Sequence, residues 1–236
     1  MGLGSNDHTS LHEQSSPPLQ LRHIASELRL AGLHIHDVSS MYVTEPVGGG
    51  RQPRFCNAVL KVSCTLPPAR LLALAKALER RAGRRRGRRN GPRPIDIDIL
   101  DFGGRVTGRT GPGRTRVLGR SSAGARSGVV LPHPELHRRR FALQPLLDVA
   151  PSWYHPVLGR SARQLLARLP ARSGAVQRIL DSDWLSCDEE RLRCVWTASA
   201  GGWLRTSGSA SSVAISCRHR RVMLPTGCCV LGADSD

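Results

Sequence analysis

Residues 91–100 restrict the fold of this chain more than any other segment. They read GPRPIDIDIL, in which isoleucine and aspartate alternate after two prolines. Because successive side chains of a β-strand point to opposite faces, this alternation predicts a strand with one apolar and one acidic face. Asp96 and Asp98 would lie about 7 Å apart on the acidic face. The fold must therefore include a sheet that buries the isoleucines and sets two carboxylates side by side.

Elsewhere before residue 171, apolar periodicity predicts both strands and helices. Prolines at residues 17–18 and 67–68 are typical of helix starts, and Gly83 is well placed to end the second of these helices. Strands and helices mixed without strict βαβ alternation favour an α+β sandwich. The expected elements are strands over residues 35–42, 55–65 and 95–100, and helices from residues 17 and 67 and over residues 141–147 and 161–169.

The chain divides by composition into a domain and a tail. With 236 residues and 39% hydrophobic side chains it can bury a sizeable core. We expect one domain over residues 1–171, carrying a Gly/Arg/Ser-rich exposed loop insertion at about residues 103–128. Residues 172–236 have no sustained period, and we expect a tail of low order, either disordered or a frame-shifted translation.

The formal net charge of +17 comes almost entirely from arginine, since Lys61 and Lys76 are the only lysines. Such a charge implies affinity for polyanions, which include nucleotides, phosphates and nucleic acids. The charge does not choose among them.

Several classes of protein are not expected. No apolar run approaches the roughly 18 residues of a membrane span, so we expect no membrane partner. The N-terminus has neither the basic nor the apolar region of a secretory signal. The seven cysteines form no CxxC pair and have no zinc-site spacing, which favours a reducing, cytoplasmic location.

Asp96 and Asp98 admit two interpretations. Carboxylates paired on one face repel unless a cation lies between them, and Mg²⁺ is commonly held by such pairs together with phosphate oxygens. Alternatively, the strand lies at a sheet edge and its aspartates form surface ion pairs with arginines. Taken alone, the short Asp-x-Asp pattern is more typical of the second.

The arginines that precede this strand favour a phosphate ligand. Eight arginines lie between residues 80 and 93, and arginine binds phosphate oxygens in a bidentate manner. A solvated basic loop or an RNA-binding patch would also be rich in arginine, but the run lacks the aromatic residues on which bases stack. No P-loop motif is present. We therefore expect a polyphosphate site and no nucleic-acid partner.

Two further segments carry polar and aromatic residues. Phe55 and Asn57 share a strand face, which suits a flat heterocycle with a mixed hydrogen-bonding edge, although such a pair is more often ordinary strand decoration. The second segment, LPHPELHRRRF at residues 131–141, contains His133 beside two prolines. A histidine in that setting is more often a structural turn residue than a catalyst.

These segments, in this order, resemble the hydroxymethyldihydropterin pyrophosphokinases of folate synthesis, and the resemblance covers roughly residues 2–170. The matching motifs are GSN at residues 4–6, SxxYxTxP at 39–46, QPxFxNAV at 52–59, GPRPIDIDIL at 91–100, LPHPxLxxRxF at 131–141 and PLxDxAP at 145–151.

The resemblance implies a ferredoxin-like α/β sandwich with a mainly antiparallel sheet. It also implies transfer of pyrophosphate from ATP, the co-substrate, to 6-hydroxymethyl-7,8-dihydropterin, with AMP released. Two Mg²⁺ ions would be held by Asp96 and Asp98. Arg84 and Arg93 would join these aspartates as catalytic residues that bind phosphate.

A monomer is favoured, although the sequence leaves the oligomeric state open. The resemblance further assigns two groups of binding residues. The ATP-binding residues would be Glu79, Arg86, Arg93, Ile99, His133 and Arg139. The pterin-binding residues would be Thr44, Pro46, Val47, Phe55, Asn57 and Phe141.

The N-terminus departs from the family pattern. Family members have a strand before GSN, whereas Met1 stands almost directly against that motif here, so we expect the first strand to be truncated. Two functional hypotheses follow from these features. The chain is a working pyrophosphokinase, or it is a catalytically impaired relative or basic nucleotide- or nucleic-acid-binding protein that retains the fold.

Overall fold

The computed structural model describes residues 1–6, 16–46, 52–84, 93–108, 128–170 and 176–199. The strands are β1 (Gly2–Ser5), β2 (His34–Val38), β3 (Met41–Thr44), β4 (Phe55–Ser63), β5 (Asp96–Asp98), β6 (Tyr154–His155), β7 (Arg160–Ser161) and β8 (Val176–Leu180). The helices are α1 (Pro17–Leu30), α2 (Pro68–Arg81), α3 (Arg140–Val149), α4 (Ala162–Ala167) and α5 (Glu189–Ser199), with a short 3-10 turn at Leu136–Arg138.

The main sheet is built around β4, the longest strand in the described residues. Its order is β5-β1-β4-β3-β8, and β2 pairs with the second half of β4 beside β3. Each pairing described for this sheet is antiparallel. The predicted α+β, ferredoxin-like class with a mainly antiparallel sheet is confirmed.

Alternation along β4 separates two apolar cores on opposite faces of the sheet. Ala58 and Leu60 belong to a core that also takes side chains from α1 and α2. Val59, between them, packs instead with side chains of α3 and α4. The sheet is therefore covered by helices on both faces, since each face carries apolar residues that must be kept from water.

Helices α1 and α2 begin where the prolines predict, and α2 ends just before Gly83 as predicted. Prolines lie in the first turns of α1 and α2, where a missing backbone N–H costs nothing. Gly83 follows α2 with a φ of +89°, a left-handed conformation that favours glycine at a helix end. No helix among the described residues is both long and apolar enough to cross a membrane.

The first strand, which we expect to be truncated, is β1, and it is four residues long. β1 is present and pairs on both sides, with Leu3 opposite Ala58 of β4 and Ile97 of β5. Leu3 is 3% exposed and Met1 is 8% exposed. All four residues of β1 pair with β4, and three of them also pair with β5.

Over residues 176–199 the structure differs from the expected tail of low order. β8 pairs with the edge of β3, and Trp184 and Leu192 are fully buried in the core beside α1. Sequence periodicity did not find this unit, whose buried apolar residues are Leu180, Trp184, Cys187, Leu192 and Trp196. Residues 200–236 and the middle of the expected insertion, residues 109–127, lie outside the described residues.

Candidate active site

Cross-strand register brings the predicted metal-binding and heterocycle-binding residues to one face of the sheet. Gly4 of β1 lies opposite Asp96 of β5 on one side and opposite Asn57 of β4 on the other. Directly opposed residues of antiparallel strands share a face. Asp96 and Asn57 therefore lie on the same face, two strand spacings or roughly 10 Å apart, with only a glycine between them.

Gly4 suits this arrangement. A Cβ at this position would lie 3.1 Å from Oδ1 of Asn57, tighter than ordinary van der Waals contact. The glycine therefore lets the Asn57 amide lie over β1 and leaves the space between the two sets of polar residues open.

Asp96 is held between two arginines. Nη1 of Arg84 donates to one carboxylate oxygen at 2.5 Å, and Nη1 of Arg93 donates to the other at 2.5 Å. Burial raises the pKa of Asp96, but the two guanidinium groups outweigh burial and hold the pKa below its usual value. Asp96 is therefore ionised at neutral pH.

Glu79, at the end of α2, lies beside Arg84 and β5 and is 2% exposed. Its carboxylate accepts from the backbone N–H of Ile97 at 2.8 Å and from Nζ of Lys76 at 2.7 Å. Its other oxygen pairs with Nη1 of Arg84 at 2.7 Å. Glu79 thus fixes both the strand that carries the aspartates and the arginine that faces Asp96.

Asp98 faces two groups from the segment before α3. Nη1 of Arg139 lies 3.3 Å from Oδ2 of Asp98, and Nε2 of His133 lies 3.7 Å from the same oxygen. Burial lowers the pKa of His133; the charge of Asp98 opposes this shift and that of Arg139 adds to it. His133 is therefore neutral at pH 7, with Nδ1 accepting from the N–H of Glu135 at 3.2 Å.

Asn6 fixes the position of Arg93, a role that the sequence alone did not predict. The Arg93 N–H donates to Oδ1 of Asn6 at 2.8 Å, and the Asn6 N–H donates to the Arg93 carbonyl at 3.2 Å. Asn6 is fully buried. The signal for it was its place in the GSN motif, but the sequence does not show that its partner lies 87 residues away.

The predicted pterin-binding residues come from three elements. Nδ2 of Asn57 donates to Oγ1 of Thr44 at 2.9 Å, and both residues are at least 95% buried. Phe55 lies opposite Thr44 at the end of β4. Phe141 lies in the first turn of α3, with the Arg139 guanidinium 5.7 Å from its ring centre. α3 packs on β4, so both rings border the same face of the sheet.

Four predicted site residues remain, namely Ile99, Pro46, Val47 and Arg86. Ile99 is 5% exposed and belongs to the apolar core, so only its backbone is available to a ligand. Pro46 follows β3 and is half-buried. Val47 and Arg86 lie outside the described residues.

The donor set at this site fits Mg²⁺. Among the described residues, no cluster of three or more histidine, cysteine or acidic side chains could hold a metal ion without other ligands. Asp96 and Asp98 do present carboxylates on one face and are 22% and 28% exposed. Mg²⁺ is usually bound by one or two carboxylates completed by water and substrate phosphates.

The chain is similar in sequence to known proteins. Residues 1–151 match the family model of 7,8-dihydro-6-hydroxymethylpterin-pyrophosphokinase. The 2-amino-4-hydroxy-6-hydroxymethyldihydropteridine pyrophosphokinase of Pseudomonas aeruginosa is 36% identical over 60% of this chain and 76% of its own length. The enzyme of that name from Aquifex aeolicus is 33% identical over 56% of this chain and 72% of its own length.

The similarity extends to longer proteins. The folic acid synthesis protein fol1 of Schizosaccharomyces pombe is 30% identical over 73% of this chain, which spans 20% of the length of that relative. The folic acid synthesis protein fol1 of Pneumocystis carinii is 31% identical over 57% of this chain, and the matched region is 16% of that relative's length. The chain thus spans about a fifth or less of these fungal relatives and about three quarters of the two bacterial ones.

Proposed function

Because the chain belongs to the 7,8-dihydro-6-hydroxymethylpterin-pyrophosphokinase family, we propose that it transfers pyrophosphate from ATP to 6-hydroxymethyl-7,8-dihydropterin. The products are the pterin diphosphate and AMP, in tetrahydrofolate biosynthesis. One observation carries this proposal: the paired aspartates of β5 and the Asn57 amide of β4 share a face across Gly4. A phosphate donor and a flat acceptor bound there would meet over β1.

In this proposal the pterin binds at the β3–β4 end of the face. The Asn57 amide and Thr44 hydroxyl offer both donors and acceptors to its edge, and Phe55 and Phe141 offer rings on which it would stack. Pro46 and Val47 would complete the pocket. Because Asn57 is already held by Thr44, little side-chain ordering is needed when the pterin binds.

The ATP phosphates bind at the β5 end. Arg84, Arg93 and Arg139 now neutralise aspartates, and each presents donors that suit phosphate oxygens. His133, being neutral, would donate a hydrogen bond without adding charge. Arg86 and the backbone of Ile99 are proposed as further ATP contacts. Glu79 acts from below by holding Arg84 and β5.

Asp96 and Asp98 would hold Mg²⁺, and we propose two ions. Bound metal would neutralise phosphate charge and acidify the attacking hydroxyl of the pterin. The chain itself supplies positioning: carboxylates fixed on a short strand, arginines on the phosphates, and an acceptor pocket on the neighbouring strands. Such positioning and electrostatic stabilisation account for most of the catalysis in phosphoryl transfer.

The test is AMP release from ATP by the purified full-length chain, with Mg²⁺ and hydroxymethyldihydropterin. We expect steady AMP formation that requires the pterin and stops when EDTA removes the metal. A reaction without pterin, with the same protein and ATP, is the control. No pterin-dependent AMP would overturn the proposal and support a catalytically impaired relative. Salt-sensitive binding of nucleic acid in its place would support a basic binding protein.

A further inference from the structure

Residues 176–199 form a strand and a helix that are built into the core. Nε1 of Trp184 donates to the Ser39 carbonyl at 2.7 Å. Leu192 is fully buried and Trp196 is 3% exposed, both on α5. α5 packs on α1, and β8 extends the sheet beside β3. The position of α5 is therefore fixed relative to the rest of the domain.

An arginine from the rest of the domain contacts each end of α5. At the first turn, Arg22 of α1 donates to the Cys187 carbonyl and pairs with Glu189 at 3.1 Å. At the last residue, Nη1 of Arg54 donates to the Ser199 carbonyl at 3.0 Å. The last carbonyls of a helix carry partial negative charge and lack partners within the helix, so an arginine there is favourable.

Arg54 also belongs to the rim of the proposed pterin pocket. It directly precedes Phe55, and its Nε lies 2.6 Å from Oε1 of Glu45. Glu45 in turn directly follows Thr44, the partner of Asn57. One guanidinium therefore joins the two ends of the β3–β4 connection to each other and to the end of α5.

We propose that Arg54 is a positioning residue through which α5 holds the pterin pocket in shape. This inference rests on the proposed function. Nε and Nη1 of Arg54 act in different directions, towards Glu45 and towards Ser199, so docking of α5 sets the position of the backbone that carries Phe55 and Thr44. The contact acts on the acceptor pocket and leaves the phosphate site on β5 untouched.

The principal test is Arg54→Ala in the full-length chain. Pterin affinity is measured by calorimetry in the presence of a non-hydrolysable ATP analogue, and KM is measured for both substrates. We expect pterin affinity to weaken about fivefold, the lower end of typical coupling between sites. The KM for ATP and the melting temperature should change little, since Arg54 and Glu45 are 40% and 52% exposed and exposed pairs add little stability.

A conservative variant separates charge from geometry. Arg54→Lys keeps the positive charge, but a single ammonium cannot face Glu45 and the Ser199 carbonyl from two nitrogens at once. Pterin affinity should therefore stay weakened in Arg54→Lys. Full recovery would overturn the proposal in favour of a general charge effect.

Two variants of the helix side complete the test. Trp196→Ala removes a buried contact of α5 near Ser199, so it should weaken pterin binding, and adding Arg54→Ala should weaken it no further. Arg22→Ala is the matched control, because it removes the arginine at the opposite end of α5, roughly 16 Å away. It should leave pterin affinity unchanged.

Failure of this inference is distinguishable from failure of the proposed function. A wild-type chain that neither binds the pterin nor forms AMP would overturn the proposed function. A working wild-type chain whose pterin affinity is unchanged in Arg54→Ala, or whose ATP and pterin constants shift equally, would overturn the role of Arg54 alone.

Discussion

At the scale of single residues, each carboxylate of the site has more than one cationic or hydrogen-bond donor partner. Asp96 contacts Arg84 and Arg93, and Asp98 faces Arg139. Both interpretations of the Asp-x-Asp pattern are thus present together: the aspartates form ion pairs with arginines and also fit a metal. The ion pairs orient both carboxylates, and those of Asp96 also keep it ionised, which is what a metal ligand requires.

Asp96→Asn should reduce turnover by about a hundredfold or more, the usual cost of losing one preorganised electrostatic group. Stability should fall by only about 1 kcal/mol, because the ion pairs of Asp96 are partly solvated and Arg84 keeps Glu79 as a partner. AMP release and urea unfolding measure the two effects. Asp37→Asn, the same charge change on the exposed side of β2, is the control. Unchanged turnover in Asp96→Asn would remove Asp96 from the metal site.

Glu79→Gln should destabilise the fold by about 1–3 kcal/mol. The glutamine would place an amide group against one of three donors that Glu79 now accepts, from Lys76, Arg84 and Ile97. Unfolding in urea measures the loss.

Glu27→Gln is the matched comparison for Glu79→Gln. Glu27 pairs at 3.0 Å with Arg81, which is 72% exposed, so its loss should cost less than about 1 kcal/mol. Equal losses in the two variants would show that the buried position of Glu79 adds nothing to the free energy of unfolding.

At the scale of elements, a hydrogen bond joins β3 to α3 on the face of the sheet that carries Val59. The Tyr42 hydroxyl donates to Oδ2 of Asp148 at 2.8 Å, and the same oxygen accepts from the Ser40 N–H at 3.1 Å. Burial raises the pKa of Tyr42, and the bond to the charged Asp148 raises it further, while Arg178 opposes the shift. The folded state therefore favours the neutral tyrosine.

This raised pKa predicts a stability difference that depends on pH. The contribution of Tyr42 is fully present below the unfolded pKa of about 10 and is lost as pH rises through the higher folded pKa. Tyr42→Phe should therefore be less stable than wild type by about 1–2 kcal/mol below pH 9, and the gap should narrow above pH 10.

Urea unfolding from pH 7 to 11 measures this gap. Tyr154→Phe, at a tyrosine that is 59% exposed on β6, is the control and should follow the wild-type curve. A gap between wild type and Tyr42→Phe that stays constant through pH 11 would contradict the raised pKa.

At the scale of the whole molecule, β8 and α5 belong to the fold although the family match ends at residue 151. Their removal would expose one face of α1 and the free edge of β3. The burial and strand pairing of residues 176–199 therefore predict that they stabilise the fold.

A truncation tests this. A chain that ends at residue 175 should melt about 10 °C lower than the full chain or lose its cooperative transition, because it lacks Trp184, Leu192 and Trp196. Thermal unfolding of the two chains followed by circular dichroism measures the difference. Equal melting temperatures for the chain ending at 175 and the full chain would show that the strand and helix are dispensable.

The sequence by itself determined the types of element, the acidic face of β5 and the order of the motifs. These depend on spacing within ten or so residues, which alternation, prolines and Gly83 specify locally. It therefore predicted the α+β class and named Asp96, Asp98 and Asn57 as candidates, whereas Phe141 was named through the family resemblance.

Only the tertiary structure decided which strands are neighbours. Asp96 and Asn57 lie 39 residues apart, and they share one face only because β1 pairs with both strands through Gly4. The partners of Asn6 and Glu79, and the docking of α5 against Arg54, also join distant segments. Such contacts form when apolar faces are buried and the polar groups buried with them find hydrogen-bond partners. No local pattern in the chain records that outcome.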